Sequence, residues 1–171
     1  TRDTGREVID APARILNSRG KSVPISVSAA ELRDRTGKRL GAVCWQLPGN
    51  LKFDAERVEN FLKLLPKNVR QAIEVRSKTF ADPVCIELLK AHNVALVIAD
   101  TADWPYLDQT ADFAYARLQG PPGGERYAPT ELEAWAARFK ALAEGKPVAG
   151  ETIVPPTGKQ PERDVFGYFV S

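Results

Sequence analysis

Glu74 and Arg76 stand two residues apart in the run AIEVRS (72–77), a spacing that puts both side chains on one face of a strand. Tyr115, Arg117 and Gln119 repeat the pattern in FAYARLQ (113–119), WQLP contributes Gln46, and ALVIAD ends in Asp100. Parallel strands covered on both sides are nearly all apolar, so polar groups recurring near the C-terminal ends of four successive strands ask for a role. Carboxylate and guanidinium groups taken out of water must be paired. Glu74, Asp100, Arg76 and Arg117 can pair among themselves and still leave one group over for a ligand. On that reading Glu74 and Asp100 are the candidate acid/base carboxylates. Arg76 and Arg117 clamp an anionic group such as phosphate or carboxylate. The other use of these residues is a purely structural Arg–carboxylate network filling a core; recurrence at one strand end favours a site.

The elements that carry these residues begin at Ala42. AVCWQLP (42–48) is a short apolar run ended by Pro48-Gly49, a strand followed by a turn. Asp54 caps a helix whose Val58, Phe61, Leu62 and Leu65 form one apolar stripe, and Pro66 stops it. AIEVRS is the next strand. Asp82-Pro83 pairs an N-cap with a proline at the first helical position, opening a helix to about Ala91 with Cys85, Ile86 and Leu89 inward. ALVIAD (95–100) and FAYARLQ are strands three and four. Thr130 and Glu133 have capping-box spacing for a helix with Leu132, Trp135, Phe139 and Leu142 on one side. DVFGYFV (164–170) is a fifth strand.

Strands alternating with helices in this way imply right-handed crossovers and a parallel sheet. No glycine-rich phosphate loop follows the first strand, which argues against dinucleotide binding. The fold class is α/β, a barrel or an open doubly wound sheet, and ligands bind at the C-terminal strand ends of both. Residues 1–41 form a separate, less regular N-terminal segment. In it, Ser22–Ser28 is expected as a short edge strand, and Ser28 with Glu31 as the cap of a short helix through Arg35.

Composition narrows the partners. The 171 residues are 43% hydrophobic and 27% charged, with 24 basic against 22 acidic side chains, too even a balance to announce a nucleic-acid or membrane partner. No run reaches the roughly 18 apolar residues of a membrane span. Cys44 and Cys85 read as buried thiols of a reducing, cytoplasmic setting. The polar N-terminus has no signal-peptide core and no initiating Met, so the chain reads as a fragment or processed form. The single histidine, His92, falls at a helix end where the helix dipole favours it, and no metal site or cofactor is expected.

Taken in order, WQLP, FD, EVR, ALVIADTADWP, TADFAYARLQG, Tyr127 with LEAWAARF, and RDVFGYFV resemble the YecE-like family, also called domain of unknown function 72. The motifs lie within residues 40–170. The resemblance implies a TIM-type β/α barrel with a polar pocket at the strand ends, its positions falling on Gln46, Glu74, Arg76, Asp100, Arg117 and Tyr127. Gln119 stands where many members carry His, and an amide cannot serve as a general base. The family's first strands have no counterpart in residues 1–41, so the domain over 42–171 is expected as a partial barrel resembling the later strands. Three functions follow: binding of a small anionic ligand, with or without catalysis; a nucleic-acid-binding or nuclease-like barrel using Arg76, Arg117 and Arg126 with Trp104, Tyr106 or Tyr127 stacking; or a truncated, inactive remnant.

Overall fold

The computed structural model describes residues 8–16, 22–33, 39–121, 123 and 126–169, the first forty positions by their backbone alone. Strands β1 (Val8–Leu16), β2 (Ser22–Arg33) and β3 (Arg39–Gln46) form an antiparallel meander. From β3 onward the pairing turns parallel. β4 (Arg70–Glu74) lies beside β3, and β5 (Val94–Leu96) beside β4. β6 (Ile98–Ala99) pairs with β7 (Phe113–Leu118), and β7 with β8 (Asp164–Phe169). Val97, between β5 and β6, donates its N–H to Ile73 O at 2.9 Å. The stretch 94–99 therefore acts as one strand, its first half bonded to β4 and its second half to β7.

Three helices fill the crossovers, each begun by local chemistry. Asp54 caps α1 (Ala55–Leu64) by accepting from Arg57 N at 2.9 Å. Asp82 caps α2 (Pro83–Ala91) by accepting from Val84 N at 2.8 Å, with Pro83 at the first helical position. α3 (Pro129–Ala143) starts two residues earlier than the Thr130–Glu133 spacing implies. Pro129 takes the first position, and Glu131, at the third, accepts from Ala128 N at 2.7 Å. The expected capping box is thus displaced, because a proline set at helical φ opens the helix ahead of Thr130.

Residues 22–33 also correct the sequence reading. In place of the helix expected from Ser28 to Arg35, the described residues Ser28 through Arg33 continue β2, in register with Cys44 back to Arg39. Nor is β2 an edge, since β1 covers its other side. Two long ladders hold this stretch extended, and together they outweigh one capping box.

Side chains alternate across the sheet. On one face, Ile73, Val75 and Leu96 meet Leu62, Leu65, Ile86 and Leu89 of α1, α2 and their flanks. Farther along the same face, Ile98, Ala114, Ala116 and Leu118 lie under Trp135 and Leu142 of α3. On the other face, Ala42, Cys44, Ala72, Ala95, Val97, Phe113, Tyr115, Phe166 and Tyr168 form a core of their own. No described helix packs on that second core. Its side chains are buried because the sheet curves round on itself. Arg70 of β4 reaches Asp164 of β8 at 2.6 Å, and its guanidinium sits over the Phe113 and Phe166 rings. The small residues Ala42, Ala72 and Ala95 on β3, β4 and β5 leave room for Tyr115 and Tyr168 opposite. The result is a mixed α/β fold of two sheets, β1-β2-β3-β4-β5 and β6-β7-β8, joined end to end through residues 94–99 into one concave surface; among the described residues that surface is open, with β1 and β8 outermost.

Candidate functional site

The concave face ends in a polar mouth above the aromatic core. Gln46 closes β3, Glu74 closes β4, and Arg76 follows two residues later on the same side. From β7, Arg117 and Gln119 come in over Tyr115. Strands β3 and β7 are not neighbours in the sheet, so only the curvature brings these residues together.

Glu74 is the hub. Its side chain is 4% exposed, and it is paired with Arg117, whose side chain is 14% exposed. Arg117 Nη1 donates to Glu74 Oε2, while Arg76 Nη2 and Gln119 Nε2 approach Oε1 at 3.4 and 3.5 Å. Burial works against the Arg117 charge, but the carboxylate beside it wins and holds the guanidinium above the ordinary arginine range. The Gln46 carboxamide lies between the two guanidinium groups. One orientation offers its oxygen to Arg117 Nη1 at 3.4 Å. The other offers it to Arg76 Nε and Nη2 at 3.0 and 2.6 Å. Two shorter bonds favour the second. Arg76 differs from the rest in that its side chain is 49% exposed.

Below the hub, burial drives the Tyr115 phenol far above its usual range, so it stays protonated under any ordinary condition.

Asp100 belongs to a different arrangement. Strand alternation carries Leu96, Ile98 and Asp100 to the helix-covered side, away from Glu74. There its carboxylate accepts from Gln119 N at 2.8 Å and Gly120 N at 2.9 Å, and from the Tyr127 hydroxyl. Gly120 N also donates to Tyr127 Oη at 2.7 Å. Burial and the neighbouring Asp100 raise the Tyr127 phenol above its normal range. Asp100 and Tyr127 therefore tie down the chain leaving β7. They also line a cleft of about 550 Å³ beside Gly120, Glu131 and Arg138. Gln119 bridges the two arrangements, its backbone on Asp100 and its side chain on Glu74.

Of the seven residues singled out from the sequence, five converge on the mouth: Gln46, Glu74, Arg76, Arg117 and Gln119. The sequence reading passed over several buried polar groups. Asp108 accepts from Ile153 N and Val154 N at 2.8 and 2.9 Å, pinning the long connection before β8. Thr110 donates to Val94 O at 2.6 Å and accepts from Leu96 N at 2.8 Å, completing the outer ladder of β5. Gln71 accepts from Trp45 Nε1 at 2.8 Å. Each bonds to backbone or to a residue distant in the chain, a relation local sequence patterns do not carry. Among the described residues, no group of three or more His, Cys, Asp or Glu is placed to hold a metal ion.

A family model described as protein of unknown function DUF72 matches residues 16–154. The chain belongs to this family. The match runs from β2 through α3, reaching farther toward the N-terminus than the ordered motifs do and ending before β8. Two solved DUF72 proteins share the fold. One, from Enterococcus faecalis, is 17% identical with a TM-score of 0.51, the alignment covering 74% of this chain and 52% of that one. The other, from Thermotoga maritima, is 20% identical with a TM-score of 0.55, covering 74% and 49%. The chain thus spans about half the length of each. No curated protein matches it.

Proposed function

We propose that this DUF72 chain binds a small anionic molecule, bearing phosphate or carboxylate, at the mouth of the concave face. One observation carries the reading: two guanidinium groups share a single buried carboxylate, and the less buried of them, Arg76, faces solvent. Glu74 is committed to Arg117, so the surplus positive charge lies with Arg76. Arg76 supplies the fork that an oxyanion accepts from. Arg117 adds a second positive charge behind it, and the amides of Gln46 and Gln119 can turn donors toward the same anion. Glu74 acts here as the group that fixes Arg117 rather than as a proton carrier. Asp100 and Tyr127 act by holding the β7 exit in place. The concave section reads as part of a β/α barrel whose strand ends carry the site. The paired burial of Cys44 and Cys85 suits a reducing, cytoplasmic setting.

Calorimetric titration of the purified chain with inorganic phosphate and with citrate tests the reading. Saturable binding that Arg76→Ala weakens by about tenfold or more is the expected outcome, the size of one lost charge-assisted hydrogen bond. Equal binding by the two proteins would remove the proposal. A steep fall with salt, seen only for oligonucleotides, would transfer the site to nucleic acid.

A further inference from the structure

Arg163, just ahead of β8, is 9% exposed and belongs to neither arrangement described above. Its Nη1 donates to Gln109 Oε1 at 3.2 Å and to Ala111 O at 3.4 Å, both neutral acceptors. Its Nε is buried with no hydrogen-bond partner. Among the described residues no carboxylate comes within ion-pair distance of it. Asp108, nearby in the same region, spends both oxygens on Ile153 and Val154 N–H groups. A guanidinium this deeply placed calls for a carboxylate partner, which the described residues do not supply. Burial accordingly presses its pKa below the arginine norm, with Asp112 opposing only in part.

Arg163 also lines a cleft of about 380 Å³ between the ends of α2 and α3 and the connection 145–161. The volume falls within the range of small-molecule sites. Leu142, Val148, Val154 and Pro155 give it an apolar patch, Lys90 and Lys146 add positive charge, and Glu87 and Asp108 also line it, Asp108 with both oxygens already taken by backbone N–H groups. A cleft with an apolar patch beside one buried, underused guanidinium matches a molecule with a compact hydrophobic body and a single carboxylate. A dianionic phosphate would call for more than one buried cation. The cleft lies on the helix-covered side, opposite the concave mouth, and is lined by a different set of residues from that mouth.

We propose that this cleft is a second binding site, taking a small apolar monocarboxylate on Arg163. Benzoate serves as the probe, with benzyl alcohol and inorganic phosphate as controls, each titrated by calorimetry into the full chain carrying Arg76→Ala, which weakens anion binding at the concave mouth. Benzoate is expected to bind saturably, benzyl alcohol at least tenfold more weakly. Arg163→Met should lose the benzoate response while keeping, or raising, the thermal midpoint, since it removes a buried charge without a carboxylate. Should that variant not fold, Val148→Trp fills the slot from its side and should abolish binding equally. Because the Arg76→Ala background already weakens anion binding at the concave mouth, the benzoate result stays separable from the fate of that mouth. Binding that survives both Arg163→Met and Val148→Trp would overturn the assignment, as would no benzoate binding at all. Binding of phosphate in place of benzoate, lost with Arg163→Met, would overturn the monocarboxylate assignment.

Discussion

At the scale of single residues, the mouth depends on Glu74. Removing it leaves Arg117 buried beside Arg76 with no carboxylate between them. Breaking a buried pair by deleting one partner is much worse than never having the pair. Glu74→Ala should therefore lower unfolding stability by about 3 kcal/mol, read from denaturant melts, and Glu74→Gln by less, because the amide still accepts from Arg117. A loss under 1 kcal/mol for the alanine variant would mean that water already screens the pair.

Cys85 gives a pH prediction of the same grain. Burial, then Asp82 and Asp108, push its thiol up to about 12. The folded state thus holds its proton over a range where the unfolded chain has released it. The associated stability is complete below the unfolded thiol's ordinary range and is lost as pH rises toward 12. Native protein should resist alkylation at pH 9, and Cys85→Ala should flatten the fall in stability between pH 9 and 12. Rapid labelling of Cys85 in native protein at neutral pH would contradict its burial.

At the scale of elements, much of the molecule is legible from local chemistry. The Asp54 and Asp82 caps, the stripe on α1, and the runs of β4, β7 and β8 stand where periodicity and capping place them. The failures have specific causes. Ser28–Arg33 carries a helix signal that two flanking strands override, and pairing between distant segments leaves no local trace. Asp100 looks like a companion of Glu74 because both end strands. The register of 94–99 turns it to the opposite side, and register is set by neighbours. Arg163 gives no local sign at all, since its burial depends on Gln109, Ala111 and the connection folding over it.

The end of α3 offers a sharp check on one such packing relation. Gly145 follows the helix with φ of 63°, and a Cβ there would fall 2.3 Å from Gln160 O. Gly145→Ala should cost about 1–2 kcal/mol for the left-handed backbone alone, and more for the collision with a carbonyl that has little freedom to move. Thermal melts of the variant measure it. An unchanged midpoint would mean that the connection 145–161 is not seated against α3 as described.

At the scale of the whole molecule, curvature turns a list of strand residues into a site. In a flat sheet, Gln46 and Arg117 would be separated by the strands between them; in this one they share a mouth, with the aromatic core beneath and Arg70–Asp164 joining the far end. The surplus cation at that mouth is the centre of the account. Its most direct test is a phosphate titration followed by NMR of the arginine side-chain Nε–Hε signals, assigned by substitution. The Arg76 signal should shift saturably, and the Arg117 signal should follow to a smaller extent. Arg138, which stacks on Trp135 away from the mouth, should not move. Uniform small shifts across all arginines, or none at Arg76, would contradict it.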